Sequence, residues 1–241
     1  MTSQQISNWF GHIAGAPATA YFRNDARTAA NHGTVLIYHG FRAGREVQVR
    51  EASLLAQNGF LAICLDNAGH GERRLPDFEK RFENPDTWRR EFLGLVGATV
   101  SEVPRILDVL EQRGWCPYGR AGILGISMGG HIAYGAMLED TRVRAITPLV
   151  SSPEWVCPQA RYGEFYPRAI LSQVAGKDEI LSPETVVRFH QNLKALYPDQ
   201  CHRLEDIVYH ESNHMMRAED WESALSRAVA WFETHLVRDP A

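Results

Sequence analysis

The stretch Gly122-Ile123-Leu124-Gly125-Ile126-Ser127-Met128-Gly129-Gly130 decides the fold. Its first five residues are apolar or small, as in a buried strand, and the residues after Ser127 continue into a helix-like apolar pattern. Glycines stand two residues before and two residues after Ser127. A serine on a sharp strand-to-helix turn favours that spacing, because the backbone there is strained and crowded. A glycine-rich packing turn is the alternative interpretation.

Short apolar runs alternate with helix-like segments on both sides of this turn. The runs are Gly33–Tyr38, Phe60–Leu65, Gly122–Ile126, Val143–Val150, Ile170–Ala175 and Arg203–Tyr209. The helix-like segments are residues 45–58, 88–110, 128–139, 183–197 and 217–236. Runs that are apolar on both faces suit a parallel sheet covered by helices on both sides. The order therefore predicts an α/β fold with a doubly wound, mostly parallel sheet.

Two segments leave alternatives open. Residues 8–23 indicate one or two early edge strands. Pro104 lies within the helical pattern of residues 88–110. It either kinks that helix or occupies the first turn of a second helix capped by Ser101.

A nucleophilic serine needs a general base, and the chain contains ten histidines. His214 follows a polar loop between the last apolar run and the last helix-like segment. Such a loop can reach the carboxyl edge of the sheet, where α/β proteins bind ligands. We therefore expect His214 to be the base. His210, closer to the end of the strand, is the alternative.

The base in turn needs an acid that orients it, which should follow an earlier strand. Asp178 lies between the run Ile170–Ala175 and the next helix-like segment. A turn or helix-entry role for Asp178 is compatible with this position. Glu154, which follows the preceding strand, is the alternative acid.

An oxyanion intermediate needs two backbone donors. The amide of Met128, directly after the serine, is expected to be one of them. The second should come from the turn His39-Gly40-Phe41-Arg42, where Gly40 permits close approach and Phe41 supplies the N–H.

These motifs together resemble a serine α/β-hydrolase, similar to small esterases of the dienelactone-hydrolase and prolyl-oligopeptidase type. The resemblance extends from about residue 33 onward. It rests on His39-Gly40, Asp66-Asn67-Ala68-Gly69-His70-Gly71, Gly125-x-Ser127-x-Gly129, Gly176-Lys177-Asp178 and His214. In that family the second motif shapes a turn, which implies structural roles for Asp66 and His70. Dienelactone hydrolases use a cysteine nucleophile, whereas this chain carries Ser127.

Two excursions from the alternating pattern bear on substrate size. Residues 151–167 join two strands where many α/β-hydrolases insert a helical cap, and they are too few for a cap domain. Residues 72–87 form the second, lid-like excursion. The expected pocket walls in the first are Trp155, Tyr162, Phe165 and Tyr166. The arginines near the second are expected to form a solvated, salt-bridged face instead of an anion site: Arg73, Arg74, Arg89 and Arg90.

The segment His210-Glu211-Ser212-Asn213-His214 spells the zinc-protease pattern H-E-x-x-H. That chemistry needs both histidines on one helix face and a third ligand. Here the five residues are predicted to form a loop, and no third ligand stands out. No C-x-x-C pair occurs, and no dinucleotide motif follows a strand. We therefore expect neither a metal nor a cofactor.

Composition sets the remaining limits. The chain has 241 residues, 44% hydrophobic and 22% charged, which predicts a single globular domain over residues 1–241. The net charge of -4 gives no reason to expect a nucleic acid partner. No segment is long and apolar enough for a membrane helix, and the first residues lack a signal-peptide pattern. Four scattered cysteines indicate reduced, buried thiols and a cytoplasmic protein: Cys64, Cys116, Cys157 and Cys201.

The resemblance and the residues together predict a serine hydrolase that acts on a small-molecule ester with a short to medium acyl chain. The triad would be Ser127, Asp178 and His214. A thioesterase or small peptidase with the same triad is one alternative. A catalytically idle α/β-hydrolase that serves as a binding module is another.

Overall fold

The computed structural model describes residues 5–117, 120–199 and 201–238. Its eight strands form one sheet in the order β1-β2-β4-β3-β5-β6-β7-β8. The strands are β1 (Ile6–Ile13), β2 (Ala16–Arg23), β3 (Thr34–Tyr38), β4 (Leu61–Leu65), β5 (Ala121–Ile126), β6 (Val143–Leu149), β7 (Ala169–Ala175) and β8 (Leu204–Tyr209). The pairs β1–β2 and β2–β4 are antiparallel, and all other neighbours are parallel.

Seven α-helices connect or follow these strands in the described part of the chain. They are α1 (Ala26–His32), α2 (Val49–Gln57), α3 (Phe78–Arg81), α4 (Pro85–Gln112), α5 (Met128–Glu139), α6 (Pro183–Lys194) and α7 (Ala218–Phe232). A 3₁₀ turn, Arg45–Gln48, precedes α2, and a π-helical stretch, Glu233–Arg238, follows α7. The predicted doubly wound, mostly parallel sheet is confirmed.

Alternate residues of each central strand face opposite sides of the sheet. In β3, Leu36 and Tyr38 belong to the core on the side of α4, α5 and α6, whereas Val35 and Ile37 belong to the core on the side of α2 and α7. All four side chains are buried. Because both faces are buried, the sequences of these strands are continuous apolar runs.

The structure settles the two segments for which the sequence left alternatives open. Residues 8–23 form the hairpin β1–β2, whose two-residue turn has positive φ at Ala14 and Gly15. Helix α4 runs through Pro104 without interruption. Ser101 is not a cap, because its hydroxyl donates to the carbonyl of Ala98 inside the helix. The short helices α1 and α3 were not predicted.

The two excursions are small. Residues 72–87 contain little more than α3 and the start of α4. Between β6 and β7 the chain forms a single 3₁₀ segment, Gln159–Phe165. The expectation that no large cap domain is inserted there is confirmed.

Asp66 organises the turn after β4. Its buried carboxylate accepts hydrogen bonds from the backbone N–H of Arg45 (2.8 Å), the Arg45 guanidinium (2.6 Å) and the N–H of Glu72 (2.9 Å). A Cβ at Gly71 would lie 2.1 Å from Asp66 Oδ1, so the turn requires glycine there. These contacts give Asp66 a structural role in the turn that follows β4.

Cys64, Cys116 and Cys157 are buried free thiols. The side chain of Cys201 lies outside the described residues. None of the described helices combines the length and the apolarity that a bilayer crossing needs.

Candidate active site

Ser127 occupies the sharp turn between β5 and α5, with φ 53° and ψ −112°. A non-glycine residue rarely adopts a positive φ, and such strain concentrates at functional sites. The flanking glycines are required by contact distances. A Cβ at Gly125 would lie 2.1 Å from the Gly129 carbonyl oxygen, and one at Gly129 would lie 2.0 Å from the Tyr38 carbonyl oxygen. The turn therefore packs backbone against backbone beneath the serine.

A chain of hydrogen bonds joins three of the predicted site residues. Ser127 Oγ lies 3.0 Å from His214 Nε2, and His214 Nδ1 lies 2.8 Å from Asp178 Oδ2. The side chains of His214 and Asp178 are 12% and 2% exposed. The serine, the imidazole and the carboxylate thus form a nucleophile–base–acid arrangement with hydrogen-bond geometry at both steps.

The Asp178 carboxylate is fixed by the loop that carries it. Oδ1 accepts from the N–H groups of Ile180 (2.9 Å) and Leu181 (3.0 Å), which leaves Oδ2 for His214. The predicted turn role of Asp178 therefore coexists with its contact to the histidine.

The two segments that are expected to supply the oxyanion donors both border the serine. Met128 is the first residue of α5, where a backbone N–H has no acceptor within the helix. A Cβ at Gly40 would lie 3.7 Å from Ser127 Cβ, so the turn that carries Phe41 borders the serine directly. The Phe41 ring anchors this turn among aromatic side chains, with ring centroids 4.7 Å from Phe82 and 5.6 Å from Trp88.

A mostly apolar cavity of about 880 Å³ opens above Ser127 and His214. Its volume is within the range of small-molecule sites. Aromatic, aliphatic and methionine side chains supply most of the wall: Phe41, Val47, Trp88, Phe92, Ile126, Val150, Trp155, Ile180, Leu181, Met215, Met216 and Trp221.

Of the four residues expected to form the pocket wall, Trp155 alone lines this cavity. Tyr162 and Phe165 instead pack edge-on against Phe189 of α6, with centroids 5.0 and 5.4 Å away, and Phe165 is fully buried. Tyr166 packs against Tyr197, 5.2 Å away. After Trp155 the chain turns back onto α6 and onto Tyr197, which follows that helix, so these three rings do not line the cavity.

The alternatives for the base and the acid lie elsewhere. His210 is exposed and lines a separate groove with Gly176 and Arg188. Glu154 is exposed, with its backbone N–H bound to Ser152. Residues 210–214 form turns and irregular backbone between β8 and α7, as predicted, so the two histidines do not share a helix face.

A profile of the alpha/beta hydrolase family matches residues 34–240. The chain belongs to the alpha/beta hydrolase family. A distant relative is the Bacillus subtilis (strain 168) protein named "Putative esterase YitV". It is 23% identical over 236 residues, covering 84% of this hydrolase and 89% of the relative.

Solved structures share the fold. TT1662 from Thermus thermophilus is 19% identical and matches with a TM-score of 0.76, over 96% of this hydrolase and 100% of that chain. The "Putative Dienelactone Hydrolase from Klebsiella pneumoniae subsp. pneumoniae MGH 78578" is 18% identical, with a TM-score of 0.75 and coverage of 96% and 100%. At these identities the likeness shows the fold alone.

Sequence reasoning missed much of the hydrolase's cavity wall. Trp88 and Phe92, one turn apart at the start of α4, stack with ring planes 11° apart and centroids 5.0 Å apart. Their four-residue spacing is visible in the sequence, but it predicts only that the two rings share one face of a helix. It does not show which surface that face contacts. Trp221 and Met215 lie on either side of the start of α7 and carried no local signal.

The arginines near residues 72–91 are mostly paired, as expected. Arg73 binds Glu102 (2.6 Å), and Arg74 pairs with Glu79. Arg90 lies 3.2 Å from Glu91. Arg89 differs, because its guanidinium lies 4.5 Å above the ring of Trp155 at the cavity wall.

Two buried histidines near the site predict how stability depends on pH. Burial lowers the pKa of both His39 and His131 to about 4, below the ordinary value of 6.5. As pH falls from 6.5 toward 4, the unfolded chain binds protons that the folded protein does not bind. The free energy of unfolding therefore falls across that pH range. At pH 5 the expected loss is about 2 kcal/mol per histidine.

Urea unfolding at pH 7.5 and pH 5 measures this effect. The midpoint should fall at pH 5, and the variant His39→Gln should show a shallower pH dependence. Equal midpoints at the two pH values would contradict the assignment of buried, neutral imidazoles.

Proposed function

We propose that this hydrolase is a serine esterase that cleaves small carboxylic esters with short to medium acyl chains. The observation that carries the proposal is the hydrogen-bonded series from Ser127 through His214 to Asp178, at a strained turn beneath an apolar cavity. Family membership and the distant relative named as an esterase support hydrolysis of esters.

In the proposed reaction, His214 Nε2 takes the proton of Ser127 Oγ as this oxygen attacks the ester carbonyl. The carbonyl oxygen becomes an oxyanion that accepts hydrogen bonds from the N–H groups of Met128 and Phe41. The intermediate collapses, the C–O bond to the alcohol breaks, and His214 donates its proton to the departing oxygen. Asp178 holds the imidazole in the required tautomer and balances its positive charge.

Hydrolysis of the acyl-enzyme repeats these steps with water. His214 takes a proton from a water molecule, whose oxygen attacks the acyl carbon. The bond to Ser127 Oγ then breaks, and the serine recovers its proton from His214. The products are one carboxylic acid and one alcohol.

The exposed outer wall of the cavity limits the acyl chain. Ile180 and Met215 line the cavity but are 62% and 81% exposed. Each further methylene contributes about 0.8 kcal/mol only where it is removed from water. Beyond roughly hexanoyl, a chain would extend into solvent and gain little.

The test is kcat/KM along a series of p-nitrophenyl esters from acetyl to dodecanoyl. We expect a maximum between acetyl and hexanoyl. A maximum at dodecanoyl or longer would contradict the proposed chain length, and no hydrolysis of any ester would contradict the proposed activity.

Asp178→Asn should keep the fold but lower kcat by roughly 10⁴-fold, because the amide favours the wrong tautomer of His214. The matched control is Glu154→Gln, the same type of change at an exposed carboxylate in the 151–167 segment. The control should retain most of its activity. The reverse ranking would move the acid to Glu154.

We also propose a single cytoplasmic domain. The one continuous sheet supports the first part, and the buried free thiols of Cys64, Cys116 and Cys157 support the second.

A further inference from the structure

The wall of the cavity above Ser127 differs between the two sides of the sheet. On the side of α4, α5 and α6, four aromatic side chains line the cavity and form what we call the aromatic wall: Phe41, Trp88, Phe92 and Trp155. On the side of α2 and α7, the lining includes three apolar side chains without a ring and one tryptophan: Ile126, Val150, Met216 and Trp221. The rings of the aromatic wall have no role in the proposed reaction.

These four rings form one continuous cluster with Phe92 at its centre. The Phe92 centroid lies 5.0 Å from that of Trp88, 6.0 Å from that of Trp155 and 5.8 Å from that of Phe41. Phe92 is only 4% exposed, whereas the other three side chains are half-buried. The aromatic surface that a substrate can contact therefore belongs to Phe41, Trp88 and Trp155.

The two accessible tryptophan rings differ in orientation. Trp88 is parallel to Phe92 within 11°, and Trp155 is inclined at 85° to Phe92. The planes of Trp88 and Trp155 are therefore nearly perpendicular. Aromatic rings attract one another in offset-stacked and edge-to-face arrangements, because the face of a ring is negative and its edge is positive. A substrate ring that stacks on one tryptophan would thus be edge-on to the other.

The charges around the aromatic wall favour an uncharged ligand. The guanidinium carbon of Arg89 lies 4.5 Å from the centroid of the Trp155 ring, where a cationic ligand would otherwise bind. Arg89 would also repel such a ligand. An apolar cavity disfavours any charge that it does not pair.

We propose that this hydrolase selects esters that carry an uncharged aromatic ring, which binds against Trp88 and Trp155 on the α4 side of the cavity. The inference rests on the proposed esterase activity and specifies its substrate class. Both tryptophans are specificity determinants, and the catalytic steps remain those of Ser127, His214 and Asp178.

The test compares esters that carry a phenyl ring with cyclohexyl esters of the same carbon skeleton. The acid-side pair is ethyl phenylacetate and ethyl cyclohexylacetate. The alcohol-side pair is 2-phenylethyl acetate and 2-cyclohexylethyl acetate. The preference is the ratio of kcat/KM for the phenyl ester to that for its cyclohexyl partner. Differences in intrinsic reactivity within a pair cancel when the preference of a variant is divided by that of the wild type.

Trp88→Leu and Trp155→Leu should each lower this preference by roughly two- to tenfold in at least one pair, the effect of one contact between aromatic rings. Trp88→Phe keeps a ring at that position and should retain most of the preference. An unchanged preference in Trp88→Leu or in Trp155→Leu, for both pairs, would overturn the role of that tryptophan.

The matched control is Trp221→Leu, the same change in the same cavity on the side of α2 and α7. It should keep the wild-type preference even where its turnover changes. A fall in preference in Trp221→Leu alone would place the ring against the opposite wall and overturn the proposal. Trp155 lies in a turn outside the helices and strands, so Trp155→Leu tests the aromatic wall even where Trp88→Leu fails to fold.

Binding to Ser127→Ala separates this inference from the proposed function, because this variant does not consume the ester. The chain has six tryptophans, whose indole N–H groups are observed by NMR. The signals of Trp88 and Trp155 are assigned by their loss in the leucine variants. In titrations, both signals should shift, and the phenyl esters should bind more tightly than their cyclohexyl partners. Equal affinity for both members of each pair would overturn the inference, whereas binding without turnover by the wild type would overturn only the proposed activity.

Discussion

Ser127→Ala is expected to lower kcat for ester hydrolysis by roughly 10⁴–10⁶-fold, as in other enzymes with a serine nucleophile. The alanine Cβ occupies the position of the serine Cβ, so the packing of Gly125 and Gly129 beneath the turn is retained. Only the oxygen that bonds to His214 Nε2 at 3.0 Å is lost. Single-turnover and steady-state kinetics with a p-nitrophenyl ester measure the effect.

The matched control is Ser101→Ala, which removes an exposed hydroxyl from α4 that bonds only to its own helix. Both variants should show the wild-type far-ultraviolet spectrum and cooperative thermal unfolding. Full activity of a folded Ser127→Ala variant would contradict the assignment of the nucleophile.

His214→Ala should cause a loss of comparable size, because the nucleophile is inactive without its base. The double variant Ser127→Ala/His214→Ala should be about as slow as either single variant, since the two groups act as one unit. If the loss of kcat in the double variant instead equalled the product of the two single losses, His214 would act independently of Ser127.

His210→Ala is the control for His214→Ala. The two histidines lie four residues apart, but His210 faces the groove with Gly176 and Arg188. We expect His210→Ala to retain most of its activity. If His210→Ala were the inactive variant, the base would lie at the end of β8 instead of in the following loop.

The strands and the turn at Ser127 could be predicted because local constraints determine them. Each parallel strand is buried on both faces, so its whole sequence is apolar and its limits are visible. A Cβ at Gly125 or Gly129 would lie about 2 Å from a neighbouring backbone oxygen, so the turn itself requires glycine at both positions and the spacing is visible in the sequence. Asp178 and His214 were identified from their order along the chain, since β7 and β8 end at the same sheet edge.

The cavity wall could not be predicted in the same way. It gathers Trp88 from the start of α4, Ile180 from the loop after β7 and Trp221 from α7, segments far apart in sequence. An aromatic residue near a strand end gives no information about the direction of its ring. Tyr162 and Phe165 had the expected composition and position, but α6 offered a buried surface on which they pack.

The helix through Pro104 illustrates a tertiary effect on a local preference. Proline removes one helical hydrogen bond, so the local sequence alone favours a break in the helix at this position. In the folded protein, buried neighbours on both sides, Val103 and Ile106, hold α4 against the core. The carbonyl of Pro104 accepts a hydrogen bond from the Arg142 guanidinium at 3.0 Å.

The central claim is that Ser127 is an activated nucleophile, and labelling with a fluorophosphonate tests it most directly. The probe forms a covalent bond with a serine oxygen only where a base activates that oxygen and the site is accessible. The account predicts one adduct per chain, mapped by peptide mass spectrometry to Ser127 and absent from Ser127→Ala and His214→Ala. An unlabelled folded protein, or an adduct at another serine that persists in Ser127→Ala, would contradict it.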